Sequence, residues 1–197
     1  MKILLFGGFL GSGKTTLILQ LAMHIVENIN EKVAIIENEV GEIGIDDKVL
    51  AAQGLQVRGL FAGCVCCQIT GDLVQAIIEL EETVQPDWLI IESTGLAVPS
   101  KIVETIEKYC HCYETLNTIV VVDAERWQEL YEVTGDFVVS QIKSADSLLI
   151  NKIDLVDSAE SIVLMDEIKQ FNDGASIHLT TAIEQISPKM MQEMLKL

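Results

Sequence analysis

Residues 2–15 read Lys2-Ile3-Leu4-Leu5-Phe6-Gly7-Gly8-Phe9-Leu10-Gly11-Ser12-Gly13-Lys14-Thr15. An apolar run with strand character, Lys2–Gly7, enters a glycine-rich turn, and Gly8–Thr15 matches G-x-x-x-x-G-K-[ST]. Gly8, Gly11 and Gly13 let the backbone curl so that its N–H groups face one centre. The helix predicted to follow adds the positive end of its dipole. Such a cradle suits the phosphates of a nucleoside triphosphate. Lys14 is placed for the β- and γ-phosphates and the Thr15 hydroxyl for Mg²⁺, with Ser12 and Thr16 completing the loop. The plainer alternative is a glycine-rich turn without function, and the complete motif in its strand–turn–helix setting weighs against it.

Outward from this turn the same alternation repeats. Apolar runs at Lys32–Glu37, Gln56–Phe61, Asp87–Glu92, Asn117–Val122, Ser147–Ile150 and Ile177–Leu179 read as strands, most of them rich in Ile, Val and Leu. Near-continuous apolar strands are expected where both faces of a sheet are covered. Between them, helical spacing appears over Thr15–Asn28, Gly71–Thr83, Ser100–Lys108, Ala124–Tyr131, Ser158–Phe171 and Pro188–Leu195. Strand–helix alternation predicts an α/β fold: a doubly wound, mostly parallel sheet with helices on both faces. Val40–Gly54 reads as a loop with one helical turn at most. With no internal repeat and no linker rich in Gly, Ser or Pro, residues 1–197 are expected to form a single domain.

Composition narrows the partners. The 197 residues carry 13 Lys plus Arg against 30 Asp plus Glu, a formal net charge of -17. Nucleic acid and anionic membranes select basic surfaces, so neither is an expected partner. Mean hydropathy is high at +0.35, yet no apolar run approaches the ~18 residues of a membrane span. The glycines and Lys14 interrupt any signal-peptide reading of the first residues, so a cytoplasmic location is expected. Three of the five cysteines fall within four positions, which suits metal binding or redox chemistry better than a secreted disulfide framework.

Two further segments address the nucleotide. Asn151-Lys152-Ile153-Asp154 directly follows the strand Ser147–Ile150 and has the N-K-x-D form of guanine readers. The Asp154 carboxylate can accept from guanine N1–H and from the exocyclic amine. Adenine offers neither arrangement and would leave a desolvated carboxylate unpaired, at a cost on the order of 1–3 kcal/mol. The Lys152 stem can cover the base, and Asn151 can fix the loop. Downstream, Thr181 and Ala182 lie where a backbone N–H meets guanine O6. The alternative for Asn151–Asp154 is a strand exit capping the next helix. Leu89-Ile90-Ile91-Glu92-Ser93-Thr94-Gly95 is an apolar strand ending in an acid. Glu92 would hold Mg²⁺ through water, Thr94 would position the attacking water, and the Gly95 N–H would sense the γ-phosphate. A simple strand-end cap is the competing reading for Glu92.

A run of acids, from Glu37-Asn38-Glu39 through Glu42 to Asp46-Asp47, follows the second strand. Asp46 or Asp47 can join the Mg²⁺ shell as a switch segment, while Glu37, Glu39 and Glu42 can face a second metal. A solvated acidic loop is the plainer reading. Gly63-Cys64-Val65-Cys66-Cys67 places three thiols on one short turn, a donor set for a tetrahedral borderline ion, chiefly Zn²⁺. Three buried structural thiols and a redox pair are the competing readings. Cys110-His111-Cys112 is a second soft cluster, either metal-binding or packed under the sheet.

Taken together, Gly8–Thr16 (GFLGSGKTT), Asn38–Gly41 (NEVG), Gly63–Cys67 (GCVCC), Glu92–Pro99 (ESTGLAVP) and Asn151–Asp154 make the chain resemble the CobW/HypB/UreG family of GTPases, in its CobW-like branch. The motifs stand in the family's order from Phe6 to about Ala182. The resemblance implies a P-loop NTPase fold of the SIMIBI-like G-domain kind and slow hydrolysis of GTP to GDP. It also implies binding of Zn²⁺ or Co²⁺ through Cys64, Cys66 and Cys67, with Glu37 and Glu42 as additional ligands. The implied role is delivery of metal to a client metalloenzyme, or service to a corrinoid or cobalamin-dependent enzyme. A non-catalytic metal sensor or buffer is the alternative from another class. CobW-like members usually continue into a C-terminal domain, often with a histidine-rich stretch. Here the sequence stops soon after the guanine loop and has three histidines, so the expected cargo surface is the G domain or a homodimer interface. Arg58 and Arg126 are its two arginines. Intrinsic turnover is therefore expected to be slow and to be accelerated by a partner or a nucleotide-dependent homodimer.

Overall fold

The computed structural model describes residues 1–37 and 71–196 in full, and the backbone of 55–59 and 68–70. Lys2–Gly8 (β1) is buried from Ile3 onward, as a strand covered on both faces must be. It is followed by Lys14–His24 (α1), Val33–Glu37 (β2), Leu55–Gly59 (β3), Gln68–Thr83 (α2), Trp88–Glu92 (β4) and Pro99–Tyr109 (α3). Thr115–Asp123 (β5), Trp127–Lys143 (α4), Ser147–Asn151 (β6), Ser158–Phe171 (α5), Ser176–Leu179 (β7) and Pro188–Leu195 (α6) complete the order. The strands form one seven-stranded sheet in the order β3-β2-β4-β1-β5-β6-β7, and each pairing is parallel. The expected doubly wound sheet is present.

Side-chain alternation divides the core between the two faces. On one face Leu4, Phe6, Ile35, Ile90 and Val121 pack with Leu17, Leu21 and Ile25 from α1 and its extension, and with Met191 and Met194 from α6. On the other, Ile3, Leu5, Ala34, Ile36, Leu89 and Ile91 meet Leu73, Ile77 and Leu80 of α2 and Ile106 of α3. Beside them Val120, Val122, Leu148 and Ile150 meet Val138 and Ile142 of α4 and Leu164 and Ile168 of α5. Cys110 is 1% exposed and belongs to the second of these clusters.

Local chemistry sets the helix ends. Pro99 opens α3 and Pro188 opens α6, where the missing N–H costs nothing. Ser187 caps α6 by accepting from the Met190 N–H. At α5 the Glu160 carboxylate accepts from the Asp157 N–H at 3.1 Å, closing a capping box. Helix α1 passes into a π turn at Ile25–Ile29, and Asn30 ends it in the left-handed region at φ 59°.

The largest difference from the sequence reading is α4, expected over Ala124–Tyr131. It starts at Trp127 and runs twelve residues further, to Lys143. The cause is a kink: Thr134 has φ -129° and ψ 23°, and its hydroxyl donates to the Leu130 carbonyl at 2.7 Å. Val133, Thr134 and Gly135 interrupt the helical pattern, and burial of Val138, Gln141 and Ile142 restores the helix beyond them. No helix among the described residues is long and apolar enough to cross a membrane.

Candidate functional site

The parallel sheet brings its strand ends to one edge, where α/β proteins hold ligands. Phe6 lies beside Glu92, Gly8 beside Val121, Glu37 beside Glu92 and Asp123 beside Asn151. Gly8, Gly11 and Gly13 have φ of 128°, 77° and 95°, values that an L side chain rarely adopts. At Gly8 a Cβ would strike the Val121 carbonyl, and at Gly13 it would strike Asn151 Nδ2. Gly8 and Gly13 are therefore required twice, by conformation and by the close approach of neighbouring backbone and side chain, and Gly11 by conformation.

Inside the loop, Lys14 is 3% exposed. Its Nζ donates to the carbonyls of Gly8 at 3.1 Å and Phe9 at 3.2 Å. Ser12 is fully buried, and its Oγ has no hydrogen-bond partner among the described residues. An orphaned hydroxyl in a glycine cradle fits a ligand rich in acceptor oxygens. Thr15 Oγ1 donates to the Glu92 carboxylate at 2.9 and 3.1 Å, so α1 and β4 bring a hydroxyl and a carboxylate together. Hard oxygen donors of this kind suit Mg²⁺. Thr94, half-buried, follows Glu92 in a turn where its carbonyl accepts from the Ala97 N–H at 3.0 Å. A Cβ on Gly95 would come 2.5 Å from the Leu10 nitrogen, so this turn lies directly against the glycine loop.

Asn151 joins the two nucleotide segments. Its Nδ2 donates to the Ser12 carbonyl at 2.7 Å, and its Oδ1 accepts from the Ala182 N–H at 2.8 Å. One buried side chain thus ties the phosphate loop to both base-side loops. Asp154 accepts from the Thr181 hydroxyl. Lys152, expected to lie over a base, has its Nζ 2.7 Å from Asp123 Oδ2. The pairing anchors the head of the side chain on the end of β5.

Four contributors escaped the sequence reading. Asp123 ends β5 as Glu92 ends β4, and the run Val120-Val121-Val122-Asp123 carried that signal. Gln20 of α1 donates to the Ala182 and Glu184 carbonyls and accepts from the Ile186 N–H, holding the last loop. Gln141, 1% exposed, donates to the Gly95 and Ala97 carbonyls at 3.3 and 2.7 Å. It stands beyond the kink, where the sequence signal for a helix had lapsed. Arg126 reaches the Leu10 carbonyl at 3.4 Å with Nη1, beside the glycine loop.

Of the metal ligands expected from the sequence, Glu37 stands half-buried at the end of β2. Glu39, Glu42, Asp46, Asp47, Cys64, Cys66 and Cys67 lie outside the described residues, as does Val40–Gly54. Among the described residues no group of three or more His, Cys, Asp or Glu is placed to hold a metal. Burial, and then the neighbouring Cys112 sulfur, push the Cys110 thiol up to about 11, which favours a protonated packing residue over a thiolate ligand.

The sheet order and glycine loop define a P-loop nucleotide-binding domain. The family model of the CobW/HypB/UreG nucleotide-binding domain matches residues 2–179, and the chain belongs to that family. Its relatives include the zinc chaperone YjiA of Escherichia coli, 34% identical over 192 residues that cover 92% of this chain and 58% of YjiA. Among solved structures, Zn(II)-bound YjiA GTPase from E. coli superposes with a TM-score of 0.69 at 28% identity, covering 97% of this chain and 60% of that one. The hydrogenase maturation factor HypB from Archaeoglobus fulgidus shares the fold with a TM-score of 0.72 at 18% identity, covering 100% of this chain and 89% of HypB. The chain spans about half the length of the curated relatives it matches.

Proposed function

We propose that this chain hydrolyses GTP to GDP and phosphate and couples that cycle to binding a transition metal and delivering it to a client metalloenzyme. The observation that carries the reading is the Asn151 side chain, bonded at once to the Ser12 carbonyl and the Ala182 N–H. A phosphate cradle and a base-reading loop fixed to each other measure out a nucleotide, and Asp154 selects guanine. Gly8, Gly11, Ser12, Gly13 and Thr16 surround the phosphates, and Lys14 neutralises the β/γ oxygens. Thr15 and Glu92, with Asp46 and Asp47 from the switch segment, hold Mg²⁺, which shields the charge of the phosphate oxygens. Thr94 and the Gly95 N–H address the attacking water and the γ-phosphate.

Cys64, Cys66 and Cys67, with Glu37 and Glu42, bind the cargo. Three thiolates favour zinc, and the similar protein YjiA is a zinc chaperone whose structure holds Zn(II). Glu37 and Glu92 are register partners on adjacent strands, which supports communication between the cargo and Mg²⁺ sites. The protein is proposed to act in the cytoplasm, alone or as a nucleotide-dependent homodimer.

Two measurements test this. In Mg²⁺-containing buffer GTP should displace a bound guanine nucleotide far better than ATP does, and equal competition would remove the role of Asp154. Glu92→Gln should bind GTP while turning it over at least tenfold more slowly. Turnover at the parent rate would remove Glu92 from the Mg²⁺ shell.

A further inference from the structure

We infer that Asp123 is the positioning residue of the base-reading loop, holding Lys152 so that its stem covers the base of a guanine nucleotide; this rests on the GTP reading above. Asp123 is 2% exposed, at the end of a strand whose four preceding positions, Ile119–Val122, are buried and apolar. A buried carboxylate at that place is costly unless it is paired. Both of its oxygens are used: Oδ2 meets Lys152 Nζ at 2.7 Å, and Oδ1 accepts from the Arg126 N–H at 3.2 Å. Neither contact joins the sheet together. β5 and β6 already pair through Asp123 and Asn151 in register, and the Ala124 N–H donates to the Asn151 carbonyl at 2.9 Å.

Lys152 is the other half of the argument. Its backbone sits at φ 66° and ψ 33°, a left-handed conformation uncommon for a residue with a Cβ. Such positions persist where surrounding contacts over-determine them. A lysine stem has four rotatable carbons, and ordering it over a base loses conformational entropy. Anchoring the ammonium on a rigid strand end orders the stem before the nucleotide arrives, the general route by which preorganisation improves affinity. Asp154 selects the base by its edge, while Asp123 secures the cover on its face through Lys152.

The test is a double-mutant cycle on GDP affinity, read by calorimetry with thermal midpoints measured alongside. Asp123→Asn and Lys152→Gln should each weaken GDP by about tenfold. The double variant should bind like Lys152→Gln alone, because Asp123 acts through that lysine. Asp123→Asn at the parent affinity overturns the inference. So does a double variant that loses the product of the two single effects, about a hundredfold. If Asp123→Asn alone fails to fold, the comparison of the double variant with Lys152→Gln decides the matter, since the double variant leaves a neutral pair. A parent chain that binds GDP and ADP alike overturns the guanine reading itself. A guanine-selective parent with an unaffected Asp123→Asn variant overturns the positioning role alone.

Discussion

Gly13 shows how much one residue carries. At φ 95° it opens α1 in the left-handed region, and a Cβ there would collide with Asn151 Nδ2. Gly13→Ala should therefore cost about 1–3 kcal/mol of stability through strain. It should also displace Asn151 from Ser12 and Ala182, so nucleotide affinity should fall more steeply than stability. Denaturant melts and GDP titration of the same variant check this, and an unchanged GDP affinity would contradict it. The glycine was legible in the sequence because the motif sets it directly before Lys14. Its collision partner was not, since Asn151 is 138 positions away and only the β1–β5–β6 order brings it near.

At the scale of elements, α4 carries the larger lesson. Its first half was readable, whereas the second half lay behind Thr134 and Gly135, a local pattern that reads as a stop. Tertiary burial overrides that stop: Ile142 is fully buried against β5 and β6, and Gln141 grips the turn after β4. Ile142→Ala should cost about 2–5 kcal/mol, measured by urea unfolding. A loss below about 1 kcal/mol would mean that the distal half of α4 adds little to the core. The segment after α3 predicts a pH response. Burial raises the Cys110 thiol from the ordinary 9.0 to about 11, and Cys112 and Tyr113 are raised as well, chiefly by burial. A thiol that ionises more readily unfolded than folded contributes stability below about pH 9, and that contribution is lost as pH climbs toward 11. The thermal midpoint should fall over this window, and Cys110→Ala should flatten the fall. An equal decline in that variant would assign the effect to other groups.

Across the molecule, the fold was the readable part. Short Ile- and Val-rich strands alternating with helices fixed a parallel sheet, and all seven strand spans were placed within two residues at each end. The candidate nucleotide residues stand out because their motifs are local in sequence. Asp123, Gln20 and Gln141 were hidden because each is a single polar residue on an apolar element. Its partner becomes visible only when the strands are ordered. The proposed cargo site stands between these cases: Cys64–Cys67 reads as a candidate donor set, while Glu37 gains interest from its register with Glu92. That register places the end of β2 beside the carboxylate that receives the Thr15 hydroxyl. Linkage is therefore the central claim: metal and nucleotide should each change the other's affinity by the same factor. The direct measurement is a zinc competition titration of the reduced protein in GDP and in a non-hydrolysable GTP analogue, for the parent and for Cys66→Ser. Zinc should be held about 5–150-fold more tightly in the GTP-analogue form, with the tight site lost in Cys66→Ser. Equal zinc affinities in the two nucleotide states, or an unchanged site in Cys66→Ser, would contradict it.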